Sequence, residues 1–240
     1  QSYQTVAHGA DTIQFFQLRR SVGGCEKFHG AVIAHAGTAD TRVFREVTQL
    51  GKELEKIGSR VMGSENHAKV GIIFDWENYW ALEYTSGPNR DLRYVDQIEQ
   101  MYNYFYNKNI AVDMIPIDAD FSKYDLVAAP VLYMVKDGVA ESLEAYVQAG
   151  GTLITTYMSG IVGQSDNVHL GGYPGPLRKM AGVWVEEIDA LAPEQRNKIR
   201  FADGTEEECR LVCDLMHLEG AEEIAQYESC LLYTSPSPRD

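Results

Sequence analysis

Between residues 69 and 157, short hydrophobic runs alternate with longer segments that carry apolar residues at helical spacing. Runs of this length, rich in β-branched residues, are typical of buried strands, and the longer segments are typical of amphipathic helices. Strands that alternate with helices form a parallel sheet with right-handed crossovers. The sequence therefore predicts an α/β domain with a mainly parallel sheet, flavodoxin-like or amidotransferase-like in outline. The predicted strands are Lys69–Asp75, Ile110–Ile115, Tyr124–Ala129 and Thr152–Tyr157, and the predicted helices are Asp91–Asn109 and Gly138–Ala149.

The same domain continues beyond residue 157 with a weaker pattern. A loop rich in Gly and Pro leads to a short helix near Leu177–Ala181 and to strands near Val183–Asp189 and Cys209–Met216. Asp137 can cap the helix that begins at Gly138, because an Asp side chain accepts hydrogen bonds from the free amides there. The helix Asp91–Asn109 should turn one apolar stripe toward the core, formed by Leu92, Val95, Ile98, Tyr102 and Phe105.

The N-terminal part of the chain has a different organisation. Ser2–His8 has the pattern of a helix end, with Gly9 in the usual C-cap place. Thr12–Gln17 is β-branched and aromatic, which predicts a strand buried on both faces. After a long polar loop, a helical stripe runs from Asp40 and is closed by Gly58. Helix, strand, loop and helix make about one and a half units of a (β/α)8 barrel, so we expect a piece of such a barrel.

The polar loop Gly23–Gly30, called the site loop below, contains the best candidates for ligand-binding side chains in this part of the chain. Glu26 and His29 lie three residues apart with Phe28 between them. A carboxylate and an imidazole can grip vicinal hydroxyls of a sugar while an aromatic ring covers its apolar face. The plain alternative is an exposed loop in which Glu26 pairs with Lys27 or caps a turn. Pattern alone leaves both interpretations open.

Four aromatic residues crowd the stretch Asp75–Tyr84, which we predict to be a loop. Aromatic side chains so dense in a loop mark either a contact surface or a plug that covers the top of the sheet. We expect three of them to be candidates for a subunit interface. These are Trp76, Tyr79 and Trp80.

Charge and strand ends exclude several classes of function. A formal net charge of −14 argues against nucleic-acid or anionic-membrane partners, which require basic patches. The segment Asp75–Asn78 would repel a phosphate, and no Cys follows Leu126–Ala129 as an amidotransferase nucleophile would. Cys209 and Cys213 are better explained as buried thiols than as metal ligands. The sequence thus predicts no cofactor and no metal.

Several motifs, taken together and in order, resemble glycoside hydrolase family 42, the β-galactosidases. The resemblance covers nearly the whole chain up to about Ser229. Leu18 departs from it, because the family often has Trp at that place. The motifs are Gln14-Phe-Phe-Gln17, Glu26-Lys-Phe-His-Gly30, Phe74-Asp-Trp-Glu-Asn78, Trp80-Ala-Leu-Glu83, Gly171-Gly-Tyr-Pro-Gly-Pro-Leu-Arg178 and His217-Leu-Glu-Gly-Ala221.

The resemblance implies retaining hydrolysis of terminal β-D-galactosyl residues by two glutamates, an acid/base and a nucleophile. Both match positions upstream of Gln1, so we expect no catalytic residue in this chain and no activity of the chain alone. Glu26 and His29 match residues that contact the galactosyl group of the β-galactoside substrate. The family also implies a homotrimer, with the second domain contributing to the subunit contacts.

The predicted organisation has four parts. Residues 1–58 are the C-terminal part of a catalytic (β/α)8 barrel, 59–68 are a linker, and 69–229 are an amidotransferase-like trimerisation domain. Residues 230–240 resemble the translation of a sequencing adaptor and are interpreted as a non-native tail. The compartment cannot be read from a chain that begins with Gln1, although a cytoplasmic location is favoured over secretion.

Two other classes of protein have to be weighed. A stand-alone flavodoxin-like module for binding or oligomerisation would not be expected to carry a piece of barrel. An amidotransferase-like enzyme would need the Cys that is absent after Leu126–Ala129.

Overall fold

The structure, a computed structural model, describes residues 1–65 and 67–229. The chain divides into two compact units, the first ending at His67 and the second beginning at Ala68. The predicted non-native tail, residues 230–240, lies outside the described residues. Within the described part, no helix has the length and apolar character needed to cross a membrane.

The first unit contains two helices, α1 (Ser2–Ala7) and α2 (Arg42–Val61). Gly9 follows α1 with a φ of +94°, in agreement with the predicted C-cap. The prediction that Gly58 ends α2 is wrong. The helix accommodates this glycine and continues to Val61, three residues into the predicted linker. The glycine with a left-handed backbone after α2 is Gly63, where φ is +71°.

The predicted strand Thr12–Gln17 is not formed. The chain pairs instead slightly later, through a single bridge between Arg19 and Ile33. A strand persists only where a neighbouring strand accepts and donates its backbone hydrogen bonds, and the described residues of this unit supply such a neighbour only around Ile33. Phe16 is accordingly 72% exposed, whereas the prediction had placed it in a core.

The second unit is built on the predicted parallel sheet. Its strands lie in the order β2-β1-β3-β4, and every neighbouring pair is parallel. The α/β class and the parallel sheet are therefore confirmed. The strands are β1 (Val70–Ile73), β2 (Val112–Ile115), β3 (Leu126–Ala129) and β4 (Thr152–Thr155).

Three helices cover the two faces of this sheet, namely α3 (Trp76–Tyr84), α4 (Tyr94–Tyr106) and α5 (Val139–Gln148). Ile72 packs in the same cluster as residues of α3 and α4, whereas its neighbour Ile73 packs in a second cluster with residues of α5. Successive side chains of a strand point to opposite faces, so the hydrophobic runs of the sequence are buried on both sides.

Three local predictions in this unit are wrong. The stretch Asp75–Tyr84 is not a loop, because residues from Trp76 onward form α3. Helix α5 is preceded by Gly138 in the left-handed region, with no side-chain cap from Asp137. On α4, Val95 is 44% exposed and Tyr94 occupies the core position instead.

The rest of the second unit is a short helix α6 (Arg178–Ala181) and two antiparallel sheets. The predicted single strand Cys209–Met216 is wrong. Leu211, with a φ of +71°, separates it into two strands, so Cys209 and Cys213 lie on different strands. The sheets pair β5 with β8 and β7-β6-β9, where the strands are β5 (Val183–Ala190), β6 (Asn197–Phe201), β7 (Glu206–Cys209), β8 (Val212–Leu218) and β9 (Ala225–Tyr227).

Candidate functional sites

The site loop folds around a single 3₁₀ turn, Cys25–Phe28. The His29 amide donates to the carbonyl oxygen of Glu26 at 3.0 Å. Residues three apart across such a turn project to the same side, so Glu26 and His29 leave the backbone on one edge of the loop. Both residues are exposed, and Phe28 is 83% exposed. The predicted pair therefore faces solvent with Phe28 between its members.

The alternative interpretation of an exposed loop is met in part, because every residue from Gly23 to Gly30 is exposed. Glu26 forms no ion pair with Lys27, and the 3₁₀ turn is preceded by Gly24 without a side-chain cap. The Glu26 carboxylate and the His29 imidazole are thus available for hydrogen bonds with a ligand.

Two donors near the site loop were not singled out by the sequence. Gln17 Nε2 and Arg20 Nε are buried and have no hydrogen-bond partner in the described chain. The Oε1 atom of Gln17 accepts a hydrogen bond from the Ser21 hydroxyl at 3.4 Å, whereas the amide nitrogen of the same side chain has no acceptor among the described residues. The sequence carried no signal for these donors, because their burial depends on how the segment pairs with the residues around Ile33.

In the second unit, polar side chains gather at the carboxyl edge of the parallel sheet, where α/β folds place their sites. Asp75 lies two residues after the end of β1 and caps α3, with Oδ2 accepting from the Asn78 amide at 3.0 Å. Its Oδ1 accepts from Lys136 Nζ at 2.8 Å, and Lys136 also pairs with Glu77. Partial burial acts to lower the pKa of Lys136, but the hydrogen bonds to Asp75 and Glu77 outweigh it and raise the pKa. The cluster is internally paired.

Asn78 ties α3 to the turn after β3. It is fully buried; Nδ2 donates to the Val131 carbonyl at 3.0 Å, and Oδ1 accepts from the Met134 amide at 2.7 Å. Val131 has a φ of +47°, a region that a β-branched residue rarely adopts, and its amide donates to Thr156 Oγ1 at 2.8 Å. An amidotransferase nucleophile would lie on such a turn, but a valine carries no reactive atom. The turn after β3 therefore offers no nucleophile at this position.

Replacing Asn78 with Ala should destabilise the second unit by about 1–3 kcal/mol, because the buried Met134 amide would lose its acceptor while the Val131 carbonyl would keep only the Tyr133 amide. Urea unfolding followed by tryptophan fluorescence measures this loss. Glu83→Ala, on the exposed side of the same helix, is the matched control and should change the free energy of unfolding by less than about 0.5 kcal/mol. Equal stabilities of the two variants would contradict the proposed tie.

The opposite face of α3 carries an exposed aromatic stripe, defined as Trp76, Trp80 and Tyr84. These residues recur every fourth position and therefore share one face of the helix. Each indole is 59% exposed and Tyr84 is 89% exposed, so the stripe does not fill the core of its own unit. Tyr79 differs, because it is half-buried and packs 6.2 Å from the Tyr94 ring. The predicted interface aromatics thus divide into two exposed indoles and one inward tyrosine.

No group of three or more His, Cys, Asp or Glu side chains within residues 1–65 and 67–229 is arranged to hold a metal ion.

Comparison with known proteins places the whole chain beside β-galactosidases. Residues 1–57 match the family described as beta-galactosidase, and residues 68–237 match the beta-galactosidase trimerisation domain. β-Galactosidase LacZ of Lactobacillus acidophilus is 54% identical over 227 residues, covering 95% of this chain and 34% of that protein. β-Galactosidase BgaP of Planococcus sp. is 52% identical over 233 residues, with the same coverages.

Solved structures agree. The β-galactosidase from Bacillus circulans sp. alkalophilus superposes with a TM-score of 0.91 at 52% identity, over 95% of this chain and 34% of that chain. The enzyme from Rahnella sp. R3 gives a TM-score of 0.88 at 48% identity, with the same coverages. The chain spans about a third of the length of the curated relatives it matches. On its motifs, its fold and these matches, the chain belongs to glycoside hydrolase family 42, the β-galactosidases.

Proposed function

We propose that this chain is part of a retaining β-galactosidase and that its site loop holds the terminal galactosyl group of the substrate. The observation that carries the proposal is the exposed pair Glu26 and His29 on one edge of the 3₁₀ turn, in a chain of family 42. The two glutamates that perform retaining hydrolysis are assigned to residues outside this chain. In this proposal the site loop binds the galactosyl group, and the two glutamates outside this chain carry out the bond cleavage.

Each side chain of the site loop has a distinct task in this proposal. The Glu26 carboxylate accepts hydrogen bonds from sugar hydroxyls, and the imidazole of His29 donates or accepts according to its tautomer. Phe28 lies between them and offers an apolar face to the carbon side of the ring.

In the full-length enzyme, Glu26→Ala and His29→Ala should each lower kcat/KM for a chromogenic β-galactoside by roughly 10- to 150-fold. A hydrogen bond from a charged group to a buried hydroxyl contributes about 1.5–3 kcal/mol, which corresponds to that range. Michaelis–Menten kinetics with a nitrophenyl β-galactoside measure the change.

Lys27→Ala supplies the matched control, because Lys27 belongs to the same exposed turn but is not assigned a contact with the sugar. It should retain kcat/KM within about twofold, consistent with a neutral surface substitution. Near-normal kcat/KM in both the Glu26 and His29 variants, at an unchanged Tm, would assign the loop a structural role only.

We further propose that the two units divide the work of the enzyme. Residues 1–58 complete the catalytic barrel, residues 59–68 connect it, and residues 69–229 assemble the subunits into a homotrimer. The match to a trimerisation domain and the exposed aromatic stripe on α3 support this assignment. A net charge of −14 is the reason to expect neither nucleic acid nor an anionic membrane among the partners.

A further inference from the structure

Asp214 stands apart from the sites described above. It lies on β8, where its backbone pairs with Ile188 of β5, and only 7% of the residue is exposed. Its Oδ1 has no hydrogen-bond partner within the described residues. A buried carboxylate with an oxygen left over is costly, because the charge has been removed from water without full compensation. Such a group is stable in the fold mainly when it carries a proton.

The turn that follows β4 supplies the contact made by this carboxyl. The Met158 amide donates to Asp214, and Met158 has a φ of +57°, so the turn is tightly constrained. The same turn carries Tyr157, whose hydroxyl donates to Gln97 Oε1 of α4 at 2.5 Å. Asp214 therefore connects the antiparallel β5–β8 pair to the carboxyl edge of the parallel sheet.

The titratable groups around Asp214 do not compensate its charge. Tyr157 faces it from the turn and Tyr227 faces it from β9; burial above all, and the Asp214 charge in addition, raise the pKa of Tyr157 to about 12 and also raise the pKa of Tyr227. Both phenols stay neutral across the physiological range. The remaining titratable neighbours, Cys213 on the same strand, Cys209 on β7 and Asp189 on β5, are acids as well.

We propose that Asp214 is a pH-sensitive clasp: its neutral carboxyl fits between β8 and the turn after β4, whereas its ionisation places a charge there that burial leaves without full compensation and so destabilises the second unit. The proposal is independent of the β-galactosidase assignment, because it concerns the stability of the second unit. It requires only a buried carboxyl that changes charge within an accessible pH range and whose second oxygen has no partner to compensate that charge.

The direction of the pH dependence follows from the shift. Burial raises the pKa of Asp214 from 3.8 to about 6, although the Met158 hydrogen bond acts in the opposite direction. Between these two values the folded chain holds a proton that the unfolded chain has released. The stabilising contribution is complete below the unfolded pKa of 3.8 and is lost as the pH rises through about 6.

Asp214→Asn tests the clasp, because the amide keeps the shape and the acceptor for Met158 but cannot ionise. The 240-residue chain can be unfolded with urea at pH 5 and pH 8, and its three tryptophans, all in the second unit, report the transition. Between these pH values the folding equilibrium constant of the unchanged chain should fall about tenfold relative to that of Asp214→Asn.

Glu187→Gln is the matched control, since Glu187 is an exposed carboxylate on the paired strand β5. Its folding equilibrium constant should show the same pH dependence as that of the unchanged chain. Parallel pH profiles of the unchanged chain and Asp214→Asn would overturn the proposal. If the Asn variant fails to fold, the chemical shift of the Met158 amide in the unchanged chain can be followed by NMR as a function of pH. A midpoint near 6 supports the clasp, and a midpoint near 4 or no transition overturns it.

Discussion

Purified by itself, the 240-residue chain is expected to hydrolyse no β-galactoside faster than buffer does. Retaining hydrolysis needs two carboxyl groups about 5–5.5 Å apart, and the acid must hold its proton near neutral pH. Glu53, in the first unit, has its pKa lowered by hydrogen bonds from Tyr3 and then Gln49, which is the wrong direction for an acid. Asp214 has a raised pKa but is buried on β8, out of reach of a sugar.

The expected deficit is large, because a missing acid/base alone costs about 10²- to 10⁴-fold and the nucleophile costs more. The chain should be produced in a host without its own β-galactosidase and assayed with a nitrophenyl β-galactoside after size-exclusion chromatography. The full-length enzyme, prepared in the same way, is the positive control. Turnover that coelutes with the chain and disappears in Glu26→Ala would show that Glu26 performs catalysis instead of binding.

The parallel sheet could be predicted because its signal is local and strong. β1 and β3 are covered on both faces, so each appears in the sequence as an uninterrupted hydrophobic run. The helix α3 was not predicted, because four closely spaced aromatic residues are also typical of a contact surface in a loop. Asp75 followed by Glu77 was the available signal, since an N-cap aspartate and an acidic first turn are typical of a helix start.

The antiparallel strands β6, β7 and β9 could not be found from hydrophobicity. β7 begins with three glutamates, a sequence more typical of a solvated loop. Its Glu206 lies opposite Arg200 and forms ion pairs at 2.8 Å with Arg200 and at 2.9 Å with Lys198 of β6. Cross-strand charge pairs of this kind stabilise a strand pair only after the two strands have met, so a single segment does not reveal them.

The candidate sites show the same division between local and non-local information. Glu26 and His29 remain a prediction that rests on local information, because their spacing across a single turn can be read from the sequence. Asn78 could not be chosen in this way, since its role depends on Val131 and Met134, more than fifty residues away in the chain. The unpartnered oxygen of Asp214 was equally hidden, because it results from packing between β8 and the turn after β4.

Replacing Trp76 and Trp80 together with Ala should dissociate the full-length enzyme into smaller species and lower its activity with them. Large aromatic side chains that fill a neighbour's pocket contribute about 2 kcal/mol or more each, so the pair amounts to about a 10³-fold change in the association constant. Each indole is 59% exposed in the isolated chain, so its removal should change the stability of its own unit little.

Tyr104→Ala with Tyr106→Ala is the matched control, because these aromatics of α4 are 59% and 55% exposed but lie outside the stripe. Sedimentation velocity over a range of concentrations measures assembly, and activity is assayed on the same samples. The control pair should remain trimeric and active. If both double variants dissociate alike, the loss reflects exposed aromatic area in general and not the stripe.

The proposed homotrimer makes the prediction stricter, because the contacts of a closed trimer are heterologous and the stripe of one subunit must meet a different surface on the next. Every subunit then contributes one stripe to the ring, and a double variant weakens all three contacts at once. Activity should fall with the trimer fraction as the protein is diluted, while urea unfolding of the second unit stays unchanged. An intact trimer with full activity at low concentration would mean that Trp76 and Trp80 serve only their own unit, packed against Phe74 and each other.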